Sequence, residues 1–266
     1  MEIWTEQEWS PAASSFTIER MSQASGIFSG ATFRAERFAV ILARPENAEN
    51  IGLAARAMKN TGFSDLRLVK KGRLPAKAAK TAVHAGDILA AAKVVPDLEA
   101  AVADCRVVFA ATAKPRAAVG LLSLAEAIPL MAAFPGETRI GLLFGNERTG
   151  LTAAELRRAN FVFTIPQAGR QPSYNLAAAV LLSLYAIFTA GPAAGPERPE
   201  PLPRRAQDET IALILRKLEE KGFVHGGNRE HVAGLVHDLL GRLTMTEKDR
   251  RLLLALFTKG VDPRIL

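Results

Sequence analysis

Two polar loops, each directly after a short apolar run, hold residues that could do chemistry in this chain. The runs Ile140–Phe144 and Phe161–Ile165 have the length and the β-branched or aromatic content of buried strands. The first run is followed by Gly145–Gly150, and the second by a polar segment from Pro166 to Asn175. Because open α/β sheets bind ligands at the carboxyl ends of their strands, two such loops side by side predict a site at that edge.

A third group of polar residues follows the strand-like run Phe38–Leu42. Asn50 stands where a helix N-cap is expected, and the free amides at that helix start could receive an anion. Arg56, on the same helix, offers a planar fork of donors to a phosphate or a carboxylate, although a plain surface arginine is the alternative. Glu147 could accept hydrogen bonds from loop amides or pair with Arg148 or Arg56.

Composition limits the classes of function. The chain has 34 Lys and Arg against 27 Asp and Glu, a net charge of +7 that favours a polyanionic partner, nucleic acid before membrane. Cys105 is the only cysteine, so no internal disulfide or cysteine zinc site can form, and the four histidines are too scattered for a metal. Neither a dinucleotide-binding glycine pattern nor a P-loop is present. No apolar run approaches the roughly 20 residues of a membrane span, so we expect a cytoplasmic protein.

The loops need a scaffold, and apolar strands alternate with amphipathic helices along most of the chain. This alternation predicts an α/β fold with a mostly parallel sheet covered on both faces. The predicted strands are Phe38–Leu42, Leu66–Val69, Val94–Val95, Val107–Thr112, Ile140–Phe144 and Phe161–Ile165. The predicted helices are Ile51–Asn60, Pro75–Ala92 with a break at Gly86, Asp97–Ala103, Ser123–Ala133 and Asn175–Phe188.

Composition also divides the chain. Residues 1–36 show no sustained period and are interpreted as a flexible tail, residues 37–190 form the α/β domain, and residues 191–206 are a proline-rich linker. Residues 207–266 are predicted to form a small C-terminal helical domain. Its three helices are predicted at Asp208–Lys221, Arg229–Leu243 and Thr246–Lys259.

Three segments, Asn50–Arg56, Leu143–Leu151 and Ile165–Ala177, resemble in order and spacing the three motifs of the SpoU/TrmH class of SPOUT RNA 2′-O-methyltransferases. The linker and C-terminal helices are similar to the extension of the TrmJ-type branch, which methylates tRNA at position 32, a cytidine or uridine at the start of the anticodon loop. The resemblance implies a trefoil-knotted SPOUT domain, an obligate homodimer with the site at its interface, and S-adenosylmethionine as cofactor, with no metal and no membrane partner.

The resemblance also implies roles for individual residues. Arg56 would be central to catalysis. In the family the matching arginine is the proposed general base. Because a guanidinium stays protonated at neutral pH, we favour a different role for Arg56, in which it binds a phosphate and stabilises the developing oxyanion charge. Arg56 would be positioned by Asn50, Glu147, Ser173 and Asn175. The cofactor would be held by Thr112, Leu143, Gly145, Asn146, Glu147, Gly150, Ile165, Pro166, Ser173, Asn175, Leu176 and Ala177. RNA would contact Arg44, Arg56, Lys114, Arg116, Arg148 and Arg170.

Two other functions stay open on the sequence. An rRNA 2′-O-methyltransferase of the same fold would carry the same motifs, and a non-catalytic RNA-binding SPOUT protein could retain the knot. If the protein binds the cofactor but not RNA, a small-molecule methyltransferase becomes a third alternative. The chain departs from the family at Tyr174, where an aliphatic residue is usual, and in the insert 167–172. These departures affect the expected substrate contacts more than the cofactor site.

Overall fold

Seven strands form one sheet in the computed structural model, which describes residues 34–113, 120–168, 173–190 and 197–259. All six strand pairings are parallel, in the order β3-β2-β1-β6-β4-β7-β5. The strands are β1 (Phe38–Ala43), β2 (Asp65–Val69), β3 (Lys93–Val95), β4 (Val107–Ala111), β5 (Leu121–Ser123), β6 (Ile140–Phe144) and β7 (Phe161–Thr164). The predicted parallel α/β sheet is therefore confirmed.

Seven α-helices accompany the sheet and three more follow it within the described residues. They are α1 (Ala48–Thr61), α2 (Ala78–Ala82), α3 (Gly86–Ala91), α4 (Leu98–Val102), α5 (Leu124–Ala132), α6 (Ala153–Leu156), α7 (Leu176–Phe188), α8 (Arg204–Glu220), α9 (Arg229–Leu240) and α10 (Glu247–Lys259). Strand β5 and helix α6 were not predicted, because elements of three or four residues are too short to show a period. None of the described helices is long and apolar enough to cross a bilayer.

Both faces of the sheet are buried, as the near-continuous apolar strands predict. Alternate residues of β1 point to opposite sides: Val40 and Leu42 pack with α1, α5 and α7, whereas Ala39 and Ile41 pack with α4. Every residue of β1 is buried, so this strand lies in the middle of the domain.

Helix α1 begins earlier than the sequence analysis predicted. Its N-cap is Asn47, whose side-chain oxygen accepts a hydrogen bond from the amide of Glu49, and Asn50 lies buried in the first turn. The prediction of Asn50 as the cap was wrong, because either asparagine can cap a helix and only packing chooses between them. The helix ends at Thr61, and Gly62 takes the left-handed conformation expected of a glycine stop.

The C-terminal helices attach to the amino-terminal edge of the sheet. The backbone amide of Arg204 donates to the carbonyl of Cys105 (2.6 Å), just before β4, and the Asn160 side-chain amide, just before β7, donates to the carbonyl of Leu243 (2.8 Å). Arg204 is only 1% exposed, and its guanidinium donates to the carbonyl of Gly241 (2.8 Å). Helix α8 begins at Arg204 rather than at the predicted Asp208, so the end of the predicted linker is helical. Most of the predicted N-terminal tail lies outside the described residues.

Candidate active site

A cleft of about 300 Å³ opens at the carboxyl ends of β6, β4 and β7, which are neighbours in the sheet. The two loops expected to lie side by side are separated by β4, whose following residues Thr112 and Ala113 complete the wall. Both loops line this one cleft although their strands are not neighbours, because strand order does not follow chain order. The edge of the sheet was predicted correctly.

The loop after β6 holds its shape through its own contacts. A Cβ added at Gly145 would lie 2.4 Å from the amide nitrogen of Leu151, so only glycine fits there, and Gly150 has a φ of +69°. The buried Asn146 accepts hydrogen bonds from the amides of Arg148 and Thr149 (3.0 Å each) through Oδ1. The other end of the Asn146 amide is also bonded, because its Nδ2 donates to the carbonyl of Arg44 (2.8 Å). Asn146 therefore supports the cleft wall.

A relay of three side chains joins the three predicted motifs beside the cleft. Asn175 Nδ2 donates to Asn50 Oδ1 (2.9 Å), and Asn50 Nδ2 donates to Glu147 Oε1 (2.9 Å). Asn175 Oδ1 in turn accepts from the amide of Ala177 (2.9 Å) and so caps α7. This direction of donation follows from chemistry, because an ionised carboxylate only accepts and a helix start only donates. The relay holds loops that lie far apart in the chain in one arrangement.

Glu147 is held as an anion at the end of this relay. Its carboxylate also accepts from the backbone amides of Glu46 (2.9 Å) and Asn47 (3.1 Å). Burial alone would raise the pKa of Glu147, but the hydrogen bonds from Asn50 and the backbone amides outweigh it and lower the pKa below its usual value. A carboxylate with a lowered pKa is a poor proton acceptor at neutral pH, so Glu147 is suited to positioning.

Arg56 lies exposed on α1, two turns beyond the helix start. Its guanidinium has neither a hydrogen-bond nor an ion-pair partner in the part of the chain that the structure describes, so its donors are available to an anion. It does not line the cleft. Gly52 of the same motif serves packing, because a Cβ there would lie 2.1 Å from the carbonyl oxygen of Ala78.

The residues predicted to hold the cofactor divide into two groups. Eight line the cleft: Thr112, Gly145, Asn146, Glu147, Gly150, Ile165, Ser173 and Leu176. Leu143, Pro166, Asn175 and Ala177 do not; Leu143 and Ala177 are buried in the core. The lining residues that the sequence analysis did not assign to the cofactor are Ala111, Ala113, Phe144, Arg148, Thr149, Leu151, Gln167, Tyr174 and Ala179.

Tyr174 is the missed residue that the sequence could have indicated, because it departs from the usual aliphatic type. Its side chain is 40% exposed, and its hydroxyl donates to the carbonyl of Pro166 (3.1 Å). The phenol thereby ties the two ends of the loop after β7 together. Its ring stands at the mouth of the cleft.

The residues predicted to contact RNA differ in the exposure and the ion pairing of their side chains. Arg44 binds Glu155 through two nitrogens (2.7 and 2.8 Å) and has a left-handed backbone (φ 54°), so it braces the end of β1. Arg148 is 77% exposed and lies 3.7 Å from the Glu46 carboxylate. Lys114, Arg116 and Arg170 lie outside the described residues.

Metal binding and thiol reactivity are two further kinds of chemistry on which the described residues bear. The described ranges contain no group of three or more His, Cys, Asp or Glu side chains that could hold a metal ion. Cys105 is buried, and burial raises the pKa of its thiol to about 12. A thiol with so high a pKa is a weak nucleophile, so Cys105 is suited to a structural role.

Comparisons with known proteins show the fold and the family of this chain. The sheet, its covering helices and the cleft at its carboxyl edge define a SPOUT methyltransferase fold. Residues 37–185 match the profile of the SpoU rRNA Methylase family, and the chain belongs to that family.

Three proteins similar to this chain are informative about its family. The chain is 33% identical to the tRNA (cytidine/uridine/adenosine-2′-O-)-methyltransferase TrmJ of Pseudomonas aeruginosa, over 84% of this chain and 93% of that protein. It is 38% identical to an uncharacterized tRNA/rRNA methyltransferase, LasT of Escherichia coli, over 58% of this chain and 68% of that one. The crystal structure of TrmJ from Z. mobilis superposes with a TM-score of 0.73 at 31% identity, covering 83% of this chain and 97% of that one.

Proposed function

We propose that this protein transfers a methyl group from S-adenosylmethionine to a ribose 2′-hydroxyl of tRNA. The relay from Asn175 through Asn50 to Glu147 carries the proposal, because it joins the three motif loops at the edge of one cleft. The relatives named as TrmJ-type tRNA 2′-O-methyltransferases support tRNA as the substrate. By analogy with them we expect the modified nucleotide at position 32 of the anticodon loop, and a cytoplasmic enzyme.

The cleft residues suit S-adenosylmethionine. Phe144, Ile165 and Leu176 give apolar walls for a flat base, while Ser173 offers a hydroxyl group for a polar part of the ligand. Gly145 carries no side chain, so a ligand can approach the backbone of the wall closely. A cleft that combines apolar walls with a few polar groups is the usual form of a small-molecule site. When bound, the sulfonium supplies an already activated methyl group, so the protein needs only to position the acceptor hydroxyl.

Arg56 is proposed to bind the RNA at the reacting nucleotide. Its unpartnered donors can bind a phosphate and stabilise negative charge that develops on the 2′-oxygen. A guanidinium does not release its proton at neutral pH, which argues for this clamp and against a role as general base. Asn50, Glu147, Ser173 and Asn175 are proposed as positioning residues.

A second copy of the chain is proposed to complete the site. Helices α1 and α7 pack together, and their outer faces expose Leu53, Leu181, Leu182 and Tyr185. Arg56 lies three residues after Leu53, on the same side of α1. A partner that covered this apolar face would bring Arg56 to the interface, which accounts for its absence from the cleft of its own subunit. The trefoil knot stays a prediction.

The test is transfer of labelled methyl from S-adenosylmethionine to tRNA and to rRNA, each from a strain that lacks the protein. Wild type is compared with Arg56→Ala and with Arg216→Ala, which removes an exposed arginine of α8 that has no ion-pair partner among the described residues. We expect label at a tRNA 2′-hydroxyl, lost in Arg56→Ala and retained in Arg216→Ala.

The other outcomes identify the rival functions. Label only in rRNA would support an rRNA methyltransferase of the same fold. Binding of S-adenosylmethionine and RNA without transfer would support a non-catalytic RNA-binding protein. Cofactor binding without RNA binding would point to a small-molecule acceptor.

A further inference from the structure

One short segment holds most of the excess positive charge of the chain. Residues 70–86 contain Lys70, Lys71, Arg73, Lys77 and Lys80 and no acidic residue, so this segment carries five of the seven net positive charges. We call these five side chains the basic ridge. The rest of the chain is close to neutral overall, so the positive charge is concentrated locally in the ridge.

The basic ridge begins at the carboxyl end of β2, on the same edge of the sheet as the cleft. Gly72, with a φ of +78°, makes the turn, and Lys70 Nζ donates to the carbonyl of Arg73 (3.0 Å) and so stabilises it. The other four side chains of the ridge are exposed, and they have no acidic partner in the described ranges.

This lack of partners is not general for basic residues here. On neighbouring elements Lys59 pairs with Asp87 (2.6 Å), and Lys93 pairs with Asp65 (3.4 Å). The fold thus neutralises nearby lysines but leaves the ridge uncompensated. Like charges held together without counter-charges repel one another, and binding to a polyanion relieves that repulsion.

The basic ridge is physically joined to the proposed catalytic helix. Thr81, which follows Lys80 on α2, donates its hydroxyl hydrogen to the carbonyl of Glu49 (3.0 Å), the residue before Asn50. Close by, α2 packs against Gly52 tightly enough to exclude any side chain there. A strand of RNA whose reacting nucleotide is bound at Arg56 can therefore pass directly onto the ridge.

We propose that the basic ridge binds the sugar–phosphate backbone of the RNA substrate outside the reacting nucleotide. This inference rests on the proposed function. Exposed lysines on a turn and a short helix offer point charges without base-reading geometry, so the contact positions the RNA and carries no sequence preference. It adds phosphate contacts away from the reacting nucleotide, where Arg56 is proposed to bind.

The experiment compares two triple variants of equal charge change and composition. The ridge variant is Lys71→Ala, Arg73→Ala and Lys77→Ala; the control variant is Lys221→Ala, Arg242→Ala and Lys248→Ala, three exposed residues of the C-terminal helical region. Binding of tRNA is measured over a range of salt concentrations for both and for wild type. Binding of S-adenosylmethionine, measured in parallel, reports whether each variant is folded.

We expect the ridge variant to bind tRNA at least about tenfold more weakly at low salt, with a log–log salt slope shallower by about 2 to 3, because each lost phosphate contact removes about one unit. The control variant should keep the wild-type slope. Equal loss in both variants, or an unchanged slope in the ridge variant, would overturn the inference. If wild type binds tRNA through the ridge but transfers no methyl group, the proposed function fails while the ridge stands.

Discussion

The substitution Asn50→Asp tests the relay at its centre, because it keeps the shape of the side chain while it replaces the donor group with a charged acceptor. In the wild type Asn50 Nδ2 lies 2.9 Å from the Glu147 carboxylate. The variant places two carboxylates at that distance, while the bond from Asn175 Nδ2 to the residue-50 oxygen is kept. The variant therefore breaks one bond of the relay and leaves the other intact.

The expected cost follows from that geometry. A hydrogen bond to an ionised group contributes about 1.5–3 kcal/mol, and the repulsion of two half-buried carboxylates adds to its loss. We expect the free energy of unfolding to fall by about 3 kcal/mol at neutral pH. Because the protein is proposed to be a dimer, wild type and variant must be compared at equal protein concentration.

The dependence on pH separates this explanation from simple damage. In the wild type the pKa of Glu147 is lowered, so its stabilisation is present at neutral pH and is lost as the pH falls through the folded-state pKa. In the variant two facing carboxylates share a proton, which raises the pKa of one of them above its unfolded value, so acidification relieves the repulsion. The difference in free energy of unfolding between the two proteins should therefore shrink on acidification, to about 1 kcal/mol once that proton is bound.

Urea unfolding at neutral and at acidic pH measures the stability difference between wild type and variant under both conditions. Asn60→Asp is the matched control, because Asn60 is exposed near the end of α1 and the added charge there costs less than about 1 kcal/mol. If Asn50→Asp were as stable as wild type at neutral pH, or if its deficit did not shrink on acidification, Asn50 would not contact an ionised Glu147.

Three further predictions address packing, assembly and the thiol. Gly52→Ala places a Cβ 2.1 Å from the carbonyl oxygen of Ala78, so we expect a loss of at least about 2 kcal/mol in the free energy of unfolding, measured by urea titration. Tyr185→Glu puts a charge on the proposed dimer face and should yield a monomer in light scattering and little methyl transfer, whereas Leu235→Glu, a similarly exposed site on α9, should change neither. Native Cys105 should resist a thiol reagent at neutral pH until urea unfolds the chain, because burial raises its pKa to about 12; rapid labelling of native protein would contradict the buried position.

Local features of this fold could be predicted directly from neighbouring residues. Ser123 and Glu126 form a capping box at the start of α5, and Gly62 ends α1; both patterns can be read from a few adjacent residues. Six of the seven strands were found to within a residue or two because each is a short apolar run bounded by polar residues. Such signals depend on a few residues close together in the chain, so they do not require knowledge of the tertiary contacts.

The sequence did not decide between two equivalent helix caps, and it did not show the ion pair that one side chain makes with a residue far along the chain. Asn47 and Asn50 are equally good caps, and the choice was made by the burial of Asn50 against Glu147 and Asn175. The guanidinium of Arg44 braces Glu155, and an arginine in a loop has no sequence signal for an ion pair more than a hundred residues away. The RNA contact predicted for Arg44 stays a prediction.

The parallel α/β sheet, the edge at which the site lies and the residue types available there all followed from the sequence alone. Long-range contacts were needed to place β4 between the two motif loops and to bring Asn50 to residues 97 and 125 positions away. They also attach the C-terminal helices at the opposite edge through the buried Arg204. The reason is physical: periodicity and capping are set by contacts within a few residues, whereas strand order and side-chain relays depend on contacts that exist only after the chain has closed long loops.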